Sequence, residues 1–286
     1  MAALPLALAA VAACSPLKTI NAVTSSSSYT KTADLAYGAN PRQKLDIYAP
    51  SAPASSPAPV AVFVYGGNWR MGERADYQFV AEALTSRGIL VVVIDYRLYP
   101  EVRYPGFVED TAQAVAWTYR EIGRYGGDPR KLFLIGHSAG AYNAAMVALD
   151  PRWLKVHGMQ PEQLRGWAGL AGPYNFIPIE NPDVKPVFFH PDTPPESQPI
   201  NHIGPHTPPA LLLAPEQDKV VNPLRNTGAL NEKLRAAGVP ATAHYYPRTS
   251  HSTLIGAMAW PLRHLAPVRD AVAEFILSDG GRGAVH

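Results

Sequence analysis

The pentapeptide Gly136-His137-Ser138-Ala139-Gly140 constrains this chain more than any other feature. The run Lys131-Leu132-Phe133-Leu134-Ile135 before it, apolar after its lysine, reads as a buried strand, and residues 141–149 after it read as a helix. A G-x-S-x-G sequence between a strand and a helix holds its serine on a sharp turn with the hydroxyl exposed. So tight a turn leaves no room for side chains flanking the serine, hence the glycines. The small Ala139, Ala141, Ala144 and Ala145 let the helix lie close on the sheet. Ser138 is therefore the candidate nucleophile.

The chain has 286 residues and is 47% hydrophobic, which suits one domain with a large core. The formal net charge is +2, no basic stretch is interleaved with aromatics, and there is no acidic tail. Nothing therefore points to nucleic acid. The 29 prolines cluster within residues 51–59 and 173–209. Proline lacks the donor that a central strand or helix interior needs, so both stretches read as surface loops. The longer one is a candidate cap or lid over the site.

Cys14 is the single cysteine, so no internal disulfide and no cysteine metal site is possible. Residues 1–13 are apolar and end in Val11-Ala12-Ala13, directly before Cys14. This resembles the lipobox of bacterial lipoproteins, which implies export, a cut before Cys14, lipidation of its thiol and attachment to a membrane. Ser15, by the same resemblance, favours the outer membrane. The alternatives are a plain secretory signal, or a cytoplasmic chain with an incidental thiol; no Lys or Arg precedes Lys18. Residues 14–32 are rich in Ser and Thr and read as a flexible tether, 33–278 as the folded domain and 279–286 as a disordered tail. No other segment approaches the length of a transmembrane helix.

Residues 33–37 and 44–48 alternate polar and apolar, as a half-exposed hairpin does. Residues 60–65 and 89–94 are continuous apolar runs, expected as strands buried on both faces. Further strands are expected at 163–171, 210–214 and 241–246, and helices at 76–87, 107–124, 223–237 and 267–277. Gly126-Gly127-Asp128-Pro129 reads as a turn before the elbow strand. Eight strands alternating with helices imply an α/β fold, a mostly parallel sheet with helices on both faces. In such sheets the active site gathers at the carboxyl ends of the strands.

A serine hydroxyl is a poor nucleophile near neutral pH and needs a base, which in turn needs an orienting group. In this chain order the acid comes next and the histidine last. Asp218 follows the expected 210–214 strand, and His251 follows the 241–246 strand. Glu216 is the rival acid, but Val220-Val221 after Asp218 would seat that turn against the sheet. Among nine histidines, His244 lies within a strand, His190, His202 and His206 lie in the Pro-rich stretch, and His264 leads the last helix. His137 must point away from Ser138 in the elbow and reads as structural. The oxyanion of an acyl transfer needs fixed donors. These are expected from the backbone N–H of Ala139 and, in the loop Tyr65-Gly66-Gly67-Asn68-Trp69, of Gly67 and Asn68. Trp69, Tyr174, Asn175 and Phe176 each follow a strand end and are the candidate substrate-lining residues.

With these residues in view the chain resembles the α/β-hydrolase family, in the esterase branch related to hormone-sensitive lipase and the BD-feruloyl-esterase-like enzymes. Further matching positions are Asp95-Tyr96-Arg97-Leu98, Tyr104-Pro105, Glu109-Asp110 and Gly126 to Pro129. Tyr65 stands where the family has histidine, and Asn68 takes the third loop position. Asp95, Arg97, Glu109 and Asp110 read as polar residues that hold loops. The resemblance implies a serine carboxylesterase with a Ser138–His251–Asp218 triad, an acyl-enzyme, a small-molecule ester substrate and no metal or organic cofactor. The prolines of 173–209 argue against a long mobile lid helix, which favours short-chain or aromatic esters. Alternatives are an arylformamidase, an acetyl or feruloyl esterase acting on cell-wall material, or a silent hydrolase fold used for binding.

Overall fold

The computed structural model describes residues 16–52 and 55–281. The expected signal segment 1–13 and Cys14 lie outside the described residues. Eight strands form one sheet: β1 (Tyr29–Ala36), β2 (Lys44–Pro50), β3 (Ala58–Val64), β4 (Leu90–Ile94), β5 (Gly127–His137), β6 (Leu164–Leu170), β7 (Ala210–Pro215) and β8 (Ala241–Tyr246). Their spatial order is β1-β2-β4-β3-β5-β6-β7-β8. The β1–β2 and β2–β4 pairs are antiparallel, and every other pair is parallel. The sheet is thus the mostly parallel α/β sheet expected.

Sequence pattern explains each strand's place. Val62, Phe63 and Val64 of β3, all five residues of β4, and Leu132 to Ile135 of β5 are buried, as parallel strands covered on both faces require. β8 lies at the edge and alternates between half-buried and exposed positions. The helices are α1 (Pro16–Ala22), α2 (Gln78–Thr85), α3 (Gly106–Glu121), α4 (Ala139–Leu149), α5 (Arg152–Lys155), α6 (Ala229–Ala236), α7 (His251–Gly256) and α8 (Val268–Leu277). α2 and α8 pack together on one face of the sheet, and α3 and α4 on the other. Among the described residues no helix is long and apolar enough to cross a membrane.

Several boundaries differ from expectation. Within the stretch read as a tether, residues 16–22 form α1 and β1 begins at Tyr29. The reason is tertiary: Asn21 donates to the Ala75 carbonyl at 3.0 Å and accepts from the Phe79 N–H at 3.2 Å, which fastens α1 to the start of α2. The turn expected at 126–129 is shorter, because Gly127 already pairs with Ala58 as the first residue of β5. The expected helix at 76–87 opens as a 3-10 turn, Arg74–Tyr77, and that at 223–237 as a π-helical turn, Leu224–Gly228. Within the expected disordered tail, residues 279–281 are ordered: Asp279 pairs with Arg165 and Gly280 N–H donates to the Phe275 carbonyl at 2.8 Å. Residues 282–286 lie outside the described residues.

Candidate active site

Ser138 follows β5 and is the N-cap residue of α4, with φ 55° and ψ −122°, a conformation rare for a residue with a side chain. A Cβ on Gly136 would collide with the Gly140 carbonyl, and one on Gly140 with the Val64 and Tyr65 carbonyls. The two glycines thus let α4 start directly against the ends of β3 and β5. Ser138 N–H donates to the Leu170 carbonyl of β6 at 2.8 Å, which fixes the turn to the neighbouring strand.

Ser138, His251 and Asp218 come together although they are far apart in sequence. His251 Nε2 lies 2.8 Å from Ser138 Oγ, and His251 Nδ1 lies 2.7 Å from Asp218 Oδ2. His251 is the first residue of α7, a helix not anticipated in the sequence. Ser250 caps it by accepting from Thr253 N–H, while Thr253 Oγ1 accepts from Ser250 N–H at 2.7 Å. Asp218 Oδ1 accepts from the N–H groups of Val220 at 2.8 Å and Val221 at 3.1 Å. Burial works to raise the Asp218 carboxyl, but its bond to His251, that group's charge and the two N–H donors outweigh it. The carboxyl is held below its ordinary value and stays ionised near neutral pH. Glu216, the rival acid, is exposed.

His137 meets the same histidine by another route. Its Nε2 lies 2.9 Å from the His251 backbone oxygen. Burial first, then the neighbouring His251, pushes its pKa down to about 3.

Of the three expected oxyanion donors, Asn68 and Ala139 line the cavity beside Ser138, and Gly67 is not among its lining residues. Among the described residues no hydrogen bond uses the N–H of Gly67 or Asn68, and Ala139 as the first residue of α4 has no intrahelical acceptor. Asn68 and Trp69 adopt φ of 53° and 57°. Trp69 is held there by its indole N–H, which donates to Asn143 Oδ1 at 2.9 Å, and by stacking on Phe107 at 5.5 Å. Tyr65, in the place of the family's histidine, is wholly buried and stacks between Tyr77 and Tyr96. Its hydroxyl donates to Asp95 Oδ1 at 2.9 Å and accepts from Arg42 at 2.8 Å. Arg97 forms a paired contact with Asp110, so Asp95, Arg97 and Asp110 hold loops, as expected.

A cavity of about 140 Å³ opens beside Ser138. Trp69 and Phe176 line it, as expected, together with Ile179, Val184 and Val220. Tyr174 and Asn175 do not line it, which corrects their assignment. Tyr174 is fully buried against Gly169, Gly172 and Trp167, where absent side chains leave room for its ring. Asn175 is held by its backbone N–H, bonded with that of Tyr174 to the buried Asn226 Oδ1 at 2.8 and 2.7 Å. Val220 does not seat its turn on the sheet either: it is 61% exposed and forms part of the cavity wall. Asn226 and the wall residues 178–184 carry no motif that would have singled them out. The Pro-rich stretch is ordered as three short 3-10 turns, and Phe188 from the first packs edge-on against Trp69 at 4.8 Å. Among the described residues no group of three or more His, Cys, Asp or Glu side chains could hold a metal ion.

Residues 45–164 match the BD-FAE family. The probable isoprenylcysteine alpha-carbonyl methylesterase ICME of Oryza sativa subsp. japonica is 38% identical over 149 residues, 51% of this chain and 35% of that protein. Esterase LipQ of Mycobacterium tuberculosis is 29% identical over 266 residues, 86% of this chain and 62% of that protein. The chain spans about half the length, or less, of the plant relatives it matches. The solved structure of esterase B from Lactobacillus rhamnosis superposes with a TM-score of 0.76 at 18% identity, covering 93% of this chain and 91% of that one. A thermostable esterase from Pseudomonas putida gives 0.72 at 24% identity, covering 91% and 87%. At those identities the likeness is one of fold. The chain has the α/β-hydrolase fold of those solved esterases, and in sequence it is similar to the BD-FAE family and to proteins named as esterases.

Proposed function

We propose that this chain is a serine carboxylesterase for esters of small acyl or aryl groups. One observation carries the reading: Asp218, His251 and Ser138 form an unbroken hydrogen-bonded chain at 2.7 and 2.8 Å, beside N–H groups that have no other acceptor. In this reading Ser138 Oγ attacks the ester carbonyl carbon and its proton passes to His251 Nε2. Asp218 holds Nδ1 and balances the imidazolium charge. The carbonyl oxygen becomes an oxyanion on the N–H groups of Gly67, Asn68 and Ala139. The intermediate collapses, His251 returns the proton to the leaving alcohol, and Ser138 is left acylated. Water then attacks the acyl carbon by the same steps and frees the acid.

The substrate class follows from the cavity. About 140 Å³ is well below the roughly 300–1,000 Å³ of pockets for drug-sized ligands. Trp69, Phe176, Ile179, Val184 and Val220 make its walls mostly apolar. A short acyl chain fits such a space, whereas a long one would have to leave it. The plant relatives are named methylesterases, so esters of small alcohols belong in the test set.

Initial rates on p-nitrophenyl esters from acetate to palmitate test the reading. Short esters are expected to be cleaved fastest, with Ser138→Ala lowering the rate by about 10⁴-fold or more. Retention of more than a tenth of the activity in Ser138→Ala would end the assignment of Ser138. Faster cleavage of emulsified triglyceride than of p-nitrophenyl acetate would overturn the size argument.

A further inference from the structure

We propose that His137 is a positioning residue for the base, tying the backbone of His251 to the strand that carries the nucleophile. The inference rests on the reading of His251 as general base.

The geometry comes from two consecutive residues. Ser138 and His137 lie next to each other at the end of β5, and their side chains diverge because the elbow turns between them. Both nonetheless reach His251. Ser138 Oγ meets the imidazole Nε2 at 2.8 Å, and His137 Nε2 meets the backbone oxygen at 2.9 Å. Asp218 fixes the other ring nitrogen at 2.7 Å. The carboxylate therefore sets the tautomer and direction of the ring, but it says nothing about how far α7 stands from β5. The His137 bond spans that gap. Any shift of the β5 end carries donor and nucleophile together, so the distance from Oγ to Nε2 is kept.

The tautomer of His137 follows from its partner. A carbonyl oxygen can only accept, so Nε2 carries the proton and Nδ1 holds a lone pair. That Nδ1 is buried and without a partner among the described residues, beside the place a side chain on Gly66 would occupy. A buried atom left unsatisfied has a cost, and here it is the counterpart of aiming Nε2 at His251. The charged groups near the ring are His251 and Asp218, and burial dominates over both. His137 therefore stays neutral near neutral pH. It donates one unchanging bond and does not compete as a second base. Its ring centre lies 5.2 Å from that of His251, a separation at which a second cation would oppose imidazolium formation.

The test compares His137→Phe, which keeps a ring and removes the donor, with His137→Gln, whose amide can donate to the same carbonyl. Rates on p-nitrophenyl acetate, labelling by a fluorophosphonate and thermal midpoints are measured for both, with wild type and Ser138→Ala alongside. The expectation is a kcat loss of about 10- to 100-fold in the phenylalanine variant with KM within about twofold, the scale of a misplaced catalytic group. The labelling rate should fall in parallel, and glutamine should restore most of both. If phenylalanine does not fold, His137→Met takes its place as the variant without a donor. Equal kcat in the donor and non-donor variants would overturn the proposal, as would a loss confined to KM or to thermal stability. A wild type that neither turns over esters nor labels would sink the reading of His251 as base, and this inference with it.

Discussion

Replacing Asp218 by asparagine isolates the one proton the proposed mechanism depends on. Asp218 Oδ1 accepts from two backbone N–H groups, at 2.8 Å from Val220 and 3.1 Å from Val221. An asparagine must keep its oxygen there, because its amide N–H₂ would face two donors. The N–H₂ group is then turned toward His251 Nδ1, where the carboxylate accepted at 2.7 Å. Nδ1 must become the acceptor, and the ring proton moves to Nε2. That nitrogen then donates to Ser138 Oγ and can no longer take its proton. The turn is kept and the base is lost, so folding should change little while kcat falls by about 10⁴-fold. At about 1.36 kcal/mol for each factor of ten, this is about 5.4 kcal/mol of lost transition-state stabilisation. Steady-state rates on p-nitrophenyl acetate, with circular dichroism as the folding control, measure it. Glu216→Gln serves as the companion, and being on the exposed rival it should change kcat by less than about twofold. A tenth or more of wild-type kcat in Asp218→Asn, or a collapse in Glu216→Gln, would refute the tautomer argument.

Three other outcomes follow from buried groups around the site. Tyr65→Phe removes a hydroxyl that bonds both Asp95 and Arg42, and the stranded partners should cost about 1–3 kcal/mol in urea unfolding; no change would mean that water replaces it. Gly140→Ala puts a methyl group into the Val64 and Tyr65 carbonyls, so β3 must move and about 3 kcal/mol or more of stability should go, with activity lost even in the folded fraction. His137 has a folded-state pKa of about 3 against 6.5 when free, so between those values the unfolded chain binds a proton that the folded chain refuses. Its contribution is full above pH 6.5 and is lost as pH falls toward 3, about 1.4 kcal/mol per pH unit. Wild type should therefore lose about 2 kcal/mol more than His137→Gln between pH 6.5 and 5 in denaturant titrations, and parallel losses would contradict the buried neutral state.

What could be read from the sequence was what repeats locally. The runs at 60–64, 90–94 and 132–135 give strands covered on both faces because every residue in them is apolar, and G-x-S-x-G marks the elbow by steric need alone. Ser138, Asp218 and His251 were legible because each follows a strand whose end was already fixed. α1 was not legible, because a Ser/Thr-rich flank has no period, and the helix is held by Asn21 bonds to residues more than fifty positions away. Tyr174 and Phe176 illustrate the limit at the site itself. Both follow β6 by a few residues, yet one is buried under the loop and the other faces the cavity. In an irregular segment no alternation says which side chain turns which way. The decision falls to Gly169 and Gly172, whose empty side-chain positions receive the Tyr174 ring.

Backbone strain supplies an argument for the site that the side chains alone do not. Seven non-glycine residues among those described have positive φ, and four of them are Asn68, Trp69, Ser138 and Ala171. These four follow the carboxyl ends of β3, β5 and β6, three adjacent strands in the sheet. Each such residue costs of order 1–3 kcal/mol and persists only where its surroundings over-determine it. Here the restraints are visible: the Trp69 indole on Asn143, the Ser138 N–H on Leu170, and the Ala171 N–H on Leu213 at 2.9, 2.8 and 2.8 Å. The two backbone bonds continue the β5–β6 and β6–β7 ladders one residue past the strand ends, and the indole bond ties the β3 loop to α4. They hold main chain in unfavourable conformations at one end of three strands, where Asn68, Trp69, Ser138 and Ala139 line one cavity. A fold optimised only for stability would relax those turns. That they are strained together, beside the hydrogen-bonded chain from Asp218 to Ser138, is what chemistry at this end of the sheet requires.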